Sequence, residues 1–153
     1  MKKLKILIIC ILIAILFPII LYAGIVIANN CIADSIEKDL TSVELPENTE
    51  LIDSISIAGK ISGNGNGMQY FGAILVSSEM TEDELENYYK TYIDDVRVVK
   101  QESDIIFKYS SYRFKKFDAN KNCYRVENWT YDDSHYVNNS IFSELLDCDI
   151  RAH

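Results

Sequence analysis

Asp133-Ser134-His135 sets a carboxylate, a hydroxyl and an imidazole in three consecutive positions. A nucleophilic triad needs those groups to converge at hydrogen-bond reach, and sequence neighbours point in different directions, so the run reads as coincidence. The other histidine is His153, and neither His-Glu-x-x-His nor Cys-x-x-Cys occurs, so zinc has no ligand set. Asp132 with Asp133, and Asp147 with Asp149, offer oxygens to calcium. That ion takes about six to eight of them from a structured loop, and no EF-hand spacing is present. Paired carboxylates also run glycoside hydrolysis, yet a chain with 23 acids supplies such pairs everywhere. No catalytic residue, metal ligand or cofactor is assigned, and a hydrolase ranks below a non-enzymatic binding protein.

Gly63-Asn64-Gly65-Asn66-Gly67 has the glycine density of a phosphate cradle. A cradle needs a helix N-terminus after the glycines, whereas here the apolar run Met68–Val76 follows and no Lys-Ser/Thr stands in the loop. Asn64-Gly65 instead suits the φ > 0 positions of a hairpin turn. Pairing symmetrically about it sets Ile61 against Met68, Gly59 against Tyr70 and Ile55 against Ile74.

Cys123 and Cys148 are the next candidates. A hairpin centred between His135 and Tyr136 places them opposite one another, with Trp129 opposite Phe142 and Val126 opposite Leu145. Opposed Cα atoms lie about 4.5–5.5 Å apart, within disulfide reach, and a bond would stabilise by roughly 3–4 kcal/mol. Cys10 and Cys31 would then be free. Near the same loop Trp129, Tyr131 and Tyr136 are the aromatic side chains expected to meet a ligand, such as a sugar ring of a wall polymer.

The element that must position all of these is the apolar run Ile6–Ala28, which carries no charge. As a helix at about 1.5 Å per residue it reaches roughly 34 Å, enough for a hydrocarbon core of about 30 Å. It is longer than the apolar region of a secretory signal, although Val26-Ile27-Ala28 has the form of a cleavage site. Cys31 follows Asn29-Asn30 and lacks a lipoprotein context. Pro18 predicts a kink that a membrane tolerates. Lys2, Lys3 and Lys5 precede the run, while Lys38 is alone among Asp34, Glu37 and Asp39 after it. The positive-inside rule puts residues 1–5 in the cytoplasm and the rest outside the cell membrane, a single-pass arrangement.

All 23 acids follow Ala28, with 12 of the 15 Lys and Arg, which leaves that part at a formal charge of −11. Such a surface repels nucleic acid and suits a soluble domain. The abundance of Ile, Lys, Asn and Tyr beside few Ala and Pro is what an AT-rich bacterial genome encodes.

Residues 29–45 read as a juxtamembrane helix. Ile32, Ile36, Leu40 and Val43 form a stripe that either docks on the domain or meets a helix of another membrane protein. Pro46 opens a domain over 46–153. Leu51–Ser62 alternates as a strand, and Met68–Val76 is its partner. Met80–Ile93 is a helix with a Thr81/Glu84 capping box, a Met80/Leu85 staple and a buried stripe of Leu85, Tyr88, Tyr89 and Tyr92. Val96–Lys100, Ile105–Tyr109, Cys123–Tyr131 and Ile141–Ile150 read as strands, with 141–146 alternatively helical.

The sum is an α+β chain: a transmembrane helix, then helix-β-β-α-β-β-β-β, a small antiparallel sheet with one helix packed on it. This layout is similar to that of many small single-pass membrane proteins of Gram-positive bacteria, and the similarity carries no motif. The expected role is a membrane-anchored extracytoplasmic module that binds another envelope protein. A ligand-sensing or wall-binding domain is the alternative.

Overall fold

One helix, α1, runs from Lys2 to Ser42 in the computed structural model of the protein, which describes residues 2–61, 67–108, 110–131 and 144–150 (Tyr131 by its backbone only). The sequence predicts two helices, over 6–28 and 29–45, and they are one. The helix passes through Pro18 and through Asn29-Asn30. Its end is set by hydroxyls. Thr41 Oγ1 donates to the Lys38 carbonyl at 3.0 Å and Ser42 Oγ to that of Asp39 at 2.8 Å, occupying two last-turn carbonyls before Pro46. From Leu4 to Leu21 every Leu, Ile and Phe is 41–68% exposed, and this stretch is long and apolar enough to cross a membrane. Burial begins at Ile25 and continues at Asn29, Ala33, Ile36 and Leu40, one face of the same helix.

That face lies on a four-stranded antiparallel sheet of β1 (Thr49–Gly59), β2 (Gln69–Ser78), β3 (Arg97–Lys100) and β4 (Cys123–Tyr131), in spatial order β1-β2-β4-β3. The α+β class stands, with two helices packed on the sheet. The second is α2 (Glu82–Lys90), whose capping box forms as expected: Thr81 and Glu84 each bond the other's backbone N–H. Leu40 of α1 and Leu85 and Tyr89 of α2 meet Ile74, Val76, Val98 and Val126 in one core.

The opposite face, with Phe71, Leu75 and Cys123, is covered by Ile106 and Phe114 from the irregular segment 101–122. Arg125 on β4 ties that segment down. It donates to Gln101 Oε1 and the Ile106 carbonyl at 2.9 Å each and pairs with Glu127 at 2.6 Å, both side chains nearly buried.

Gly72 marks where α1 comes closest to the sheet. A Cβ there would lie 2.6 Å from the Glu37 amide nitrogen and 2.9 Å from the Ile36 carbonyl carbon, so the position excludes any side chain. Ser54 and Ser56, which alternation puts on the face opposite Ile55 and Ile57, donate to Glu37 and Asp34 of α1.

Four expectations are corrected. The β1–β2 register is shifted by one: Ile55 pairs with Ala73 and Gly59 with Gln69, and a bulge falls between Leu51 and Asp53. The described part of the strand expected over 105–109, residues 105–108, is not a strand; Ile105 makes an isolated bridge to Arg113. Over 144–146 the chain is helical, so the strand predicted for 141–150 is absent from its described part. The reason is pairing capacity. Trp129 opposes Phe71, and over Tyr124–Glu127 β4 has β2 on one side and β3 on the other, so Val126 opposes Ile74 and Val98 and no edge is left along that stretch for a further hairpin partner. The proposed disulfide goes with it. Cys123 opposes Ser77 and is buried, Cys148 is exposed, and both are free thiols.

Candidate functional site at the helix–domain junction

Where burial on α1 begins, the apolar stripe contains a polar residue. Asn29 is fully buried, one turn beyond Ile25 and one turn before Ala33. An amide there has to satisfy both its donors and its acceptor inside the protein. It does so across three segments. Tyr70 of β2, also fully buried, donates its hydroxyl to Asn29 Oδ1 at 2.9 Å. Asn29 Nδ2 donates to the Leu146 carbonyl at 3.1 Å and to Asp149 Oδ2 at 3.0 Å. Asp149 is itself completely buried, and its neighbour Asp147 accepts the Met68 N–H at 2.5 Å.

Local sequence explains the convergence. Residues 144–149 turn helically, with the Cys148 N–H on the Leu145 carbonyl and the Asp149 N–H on that of Leu146. Asp147 and Asp149 therefore both face the helix and β2, while Ile150 is 68% exposed. Below the knot, Leu145 and Leu146 lie beside Leu21, Gly24 and Ala28 and enclose with them a groove of about 300 Å³. The junction is thus a polar lock with an apolar recess on the side of the N-terminal half of α1. Its donors and acceptors are engaged with one another, so the arrangement holds segments together and offers no nucleophile paired with a base.

The predicted site residues fall elsewhere. Ile36 and Leu40 of the stripe are buried on the chain's own sheet, with Ile32 and Val43 half-buried beside them, so this face is already occupied within the molecule. The buried stripe shares Ile36 and Leu40 with the expected one and continues toward the N-terminus through Ala33, in place of Ile32, and Asn29. Trp129 is half-buried, 4.7 Å from Phe71 and 5.4 Å from Phe107 between ring centroids, so it packs in the core. Tyr131 ends β4 opposite Gln69. Tyr136, the Asp133-Ser134-His135 run, Asp132, Asn64-Gly65 and His153 lie outside the described residues. Asp147 and Asp149 turn to different donors, the Met68 N–H and Asn29 Nδ2. Among the described residues no three His, Cys, Asp or Glu side chains gather as a metal site would require.

Elsewhere the electrostatics are those of structure. Burial pushes the Cys123 thiol up, away from thiolate chemistry. Burial, then the neighbouring Tyr88, pushes the Tyr89 hydroxyl up to about 12; that oxygen is buried and has no hydrogen-bond partner among the described residues. Hydrogen bonds from Lys90 and from the Val98 N–H hold the Glu86 carboxyl below the usual carboxylate range. Sequence reading missed Asn29, and the signal was available: a single polar residue inside an i, i+4 apolar stripe. Comparison of the chain with protein-family models, with curated proteins and with solved structures gives no match.

Proposed function

We propose that the chain is a single-pass protein of a bacterial cell membrane, with its N-terminus in the cytoplasm and its α+β domain outside, acting as a non-enzymatic module that binds another envelope protein. The observation that carries the reading is the continuity of α1. Its first half exposes apolar side chains all round, and its second half forms part of the domain core without a break between them. A domain built onto the extension of its own anchor is held at a fixed height and orientation. That is a useful property in a module that has to meet a partner in the same membrane. The orientation follows from Lys2, Lys3 and Lys5 on one side of the run and the acidic domain on the other.

The test has two stages. In the host, the full-length protein should stay in the membrane pellet through alkaline carbonate, and Cys31, exposed and beyond the apolar run, should react with a membrane-impermeant maleimide in intact cells. Release by carbonate, or labelling only after lysis, refutes anchoring or orientation respectively. Mild crosslinking of the same cells should then recover one stoichiometric envelope partner. Recovery of the protein alone removes the interaction reading.

A further inference from the structure

We infer that residues 144–150 and the outer end of α1 form a seat for the acyl chain of a membrane phospholipid. The inference rests on the anchored reading and extends it. A hydrocarbon core of about 30 Å takes about 20 helical residues. Counted from Ile6, the first residue past Lys5, it ends near Ile25. Phe17, Leu21 and Gly24 therefore lie within the hydrocarbon, and Ala28 lies at its boundary. Leu145 and Leu146 complete the same groove of about 300 Å³, and among the described residues no charged side chain lines it. These two leucines thus lie beside the anchor at the depth of the outer leaflet, while Glu144 before them is exposed and stays outside the groove.

The turn is built for that depth. Lipid tails cannot solvate a polar group, so each one near them needs a partner within the protein. Asn29 serves Asp149 and the Leu146 carbonyl, and the Met68 N–H serves Asp147. The Leu145 carbonyl takes the Cys148 N–H, and Cys148 Sγ bonds the Glu144 carbonyl. What faces outward includes Ile150, 68% exposed.

The occupant follows from the surroundings. Continuous with the groove is the 4–21 surface, whose exposed Leu, Ile and Phe side chains require hydrocarbon around them. Acyl chains are what that medium supplies. A second helix is about 10–12 Å wide with its side chains, and the groove is at the small-ligand end of pocket sizes, closed at one rim by Leu145 and Leu146. Gly24 leaves it open: a Cβ at that position would meet nothing within 4 Å.

The experiment uses the full-length protein in phosphatidylcholine nanodiscs doped with a phosphatidylcholine carrying a diazirine on its acyl chain. After irradiation, tryptic peptides 6–38 and 126–151 are sequenced for lipid adducts. Adducts are expected on the anchor peptide and, in 126–151, at Leu145 and Leu146. Gly24→Leu, whose Cβ has open space and whose side chain takes up room in the groove, should lower the adducts at 145–146 about tenfold and leave those on 6–38 in place. Adducts confined to 6–38, or a Leu145–Leu146 signal unchanged by Gly24→Leu, overturn the seat and leave the anchor standing. Absence of adducts on 6–38 overturns the anchor as well. Oxidation of Gly24→Cys to a dimer, with Cys10, Cys31 and Cys148 replaced by Ser, assigns the groove to a second copy and also overturns the seat.

Discussion

Asn29→Ala is the most informative perturbation of the junction. The substitution removes one acceptor from the Tyr70 hydroxyl and two donors, from the Leu146 carbonyl and from Asp149, all at buried positions. Two neutral bonds at about 1 kcal/mol each and one to a carboxylate at about 1.5–3 kcal/mol sum to roughly 4 kcal/mol. Against a domain stability of about 5–15 kcal/mol, that is a large fraction. Trp129 is the only tryptophan and sits against Phe71 and Phe107, so its fluorescence reports the domain while the anchor stays in detergent. In urea, with a slope of about 1–3 kcal/mol/M, the midpoint should fall by about 2 M. Tyr70→Phe deletes one of the three bonds and should cost about 1 kcal/mol. Because the two residues share that bond, the double variant should cost about 1 kcal/mol less than the sum of the singles. Asn29→Asp keeps the shape but turns an acceptor toward the Leu146 carbonyl and Asp149, and it should be no better than Ala. A loss under about 1 kcal/mol for Asn29→Ala, or full tolerance of Asp, refutes the lock.

Three further outcomes are expected. Gly72→Ala drives a Cβ into the backbone of α1 at Ile36–Glu37 and should cost about 1–3 kcal/mol by overpacking, read as a lowered Tm. Tyr89→Phe removes a buried hydroxyl without a partner and should leave Tm unchanged or raised. The same residue gives a pH test: its folded value of about 12 exceeds the unfolded value near 10, so the unfolded state loses its proton first. Stability should therefore fall between about pH 10 and 12, by up to about 1.4 kcal/mol per unit, and that component should be missing from the alkaline denaturation of Tyr89→Phe. Arg125→Ala strands the buried Glu127 carboxylate and should cost about 3–5 kcal/mol, whereas the pair Arg125→Met with Glu127→Leu should cost less than the single change, as judged by denaturant midpoints.

What sequence disclosed was local. The capping box at Thr81 and Glu84 and the bounds of β4 depend on neighbours within a turn or a strand, and both appear as read. What it concealed was pairing. The symmetric hairpin that set Cys123 against Cys148 satisfied every local rule, but over Tyr124–Glu127 β4 had already been claimed on both sides by strands from elsewhere in the chain. The one-residue shift between β1 and β2 has the same character, since alternation alone does not say which face a helix will cover. Ser54 and Ser56, on the face opposite Ile55 and Ile57, are bonded to α1. The junction was hidden for a further reason: its members, Asn29, Tyr70 and Asp149, are separated by up to 120 positions and no spacing connects them.

The way the sheet stands on its helix limits how the domain meets a neighbour. Ser54 bonds Glu37 and Ser56 bonds Asp34, so β1 descends toward the anchor as α1 rises from it. Tyr70 sits at Asn29 and Gly72 at Ile36–Glu37, so β2 rises with the helix. The two edges of the sheet are β1 and β3. Such edges invite strand pairing, and both are blunted. Along β3 the Val98 and Lys100 N–H groups are taken by Glu86 and Glu82 of α2 at 3.1 and 2.9 Å. The match is geometric, because four helical residues rise about 6 Å and two strand residues about 6.6 Å. Along β1 the ladder is interrupted by the bulge before Asp53, whose carboxylate takes the N–H groups of Ser54 and Lys116. At these positions the N–H groups are already bonded within the chain, so a further strand is disfavoured there.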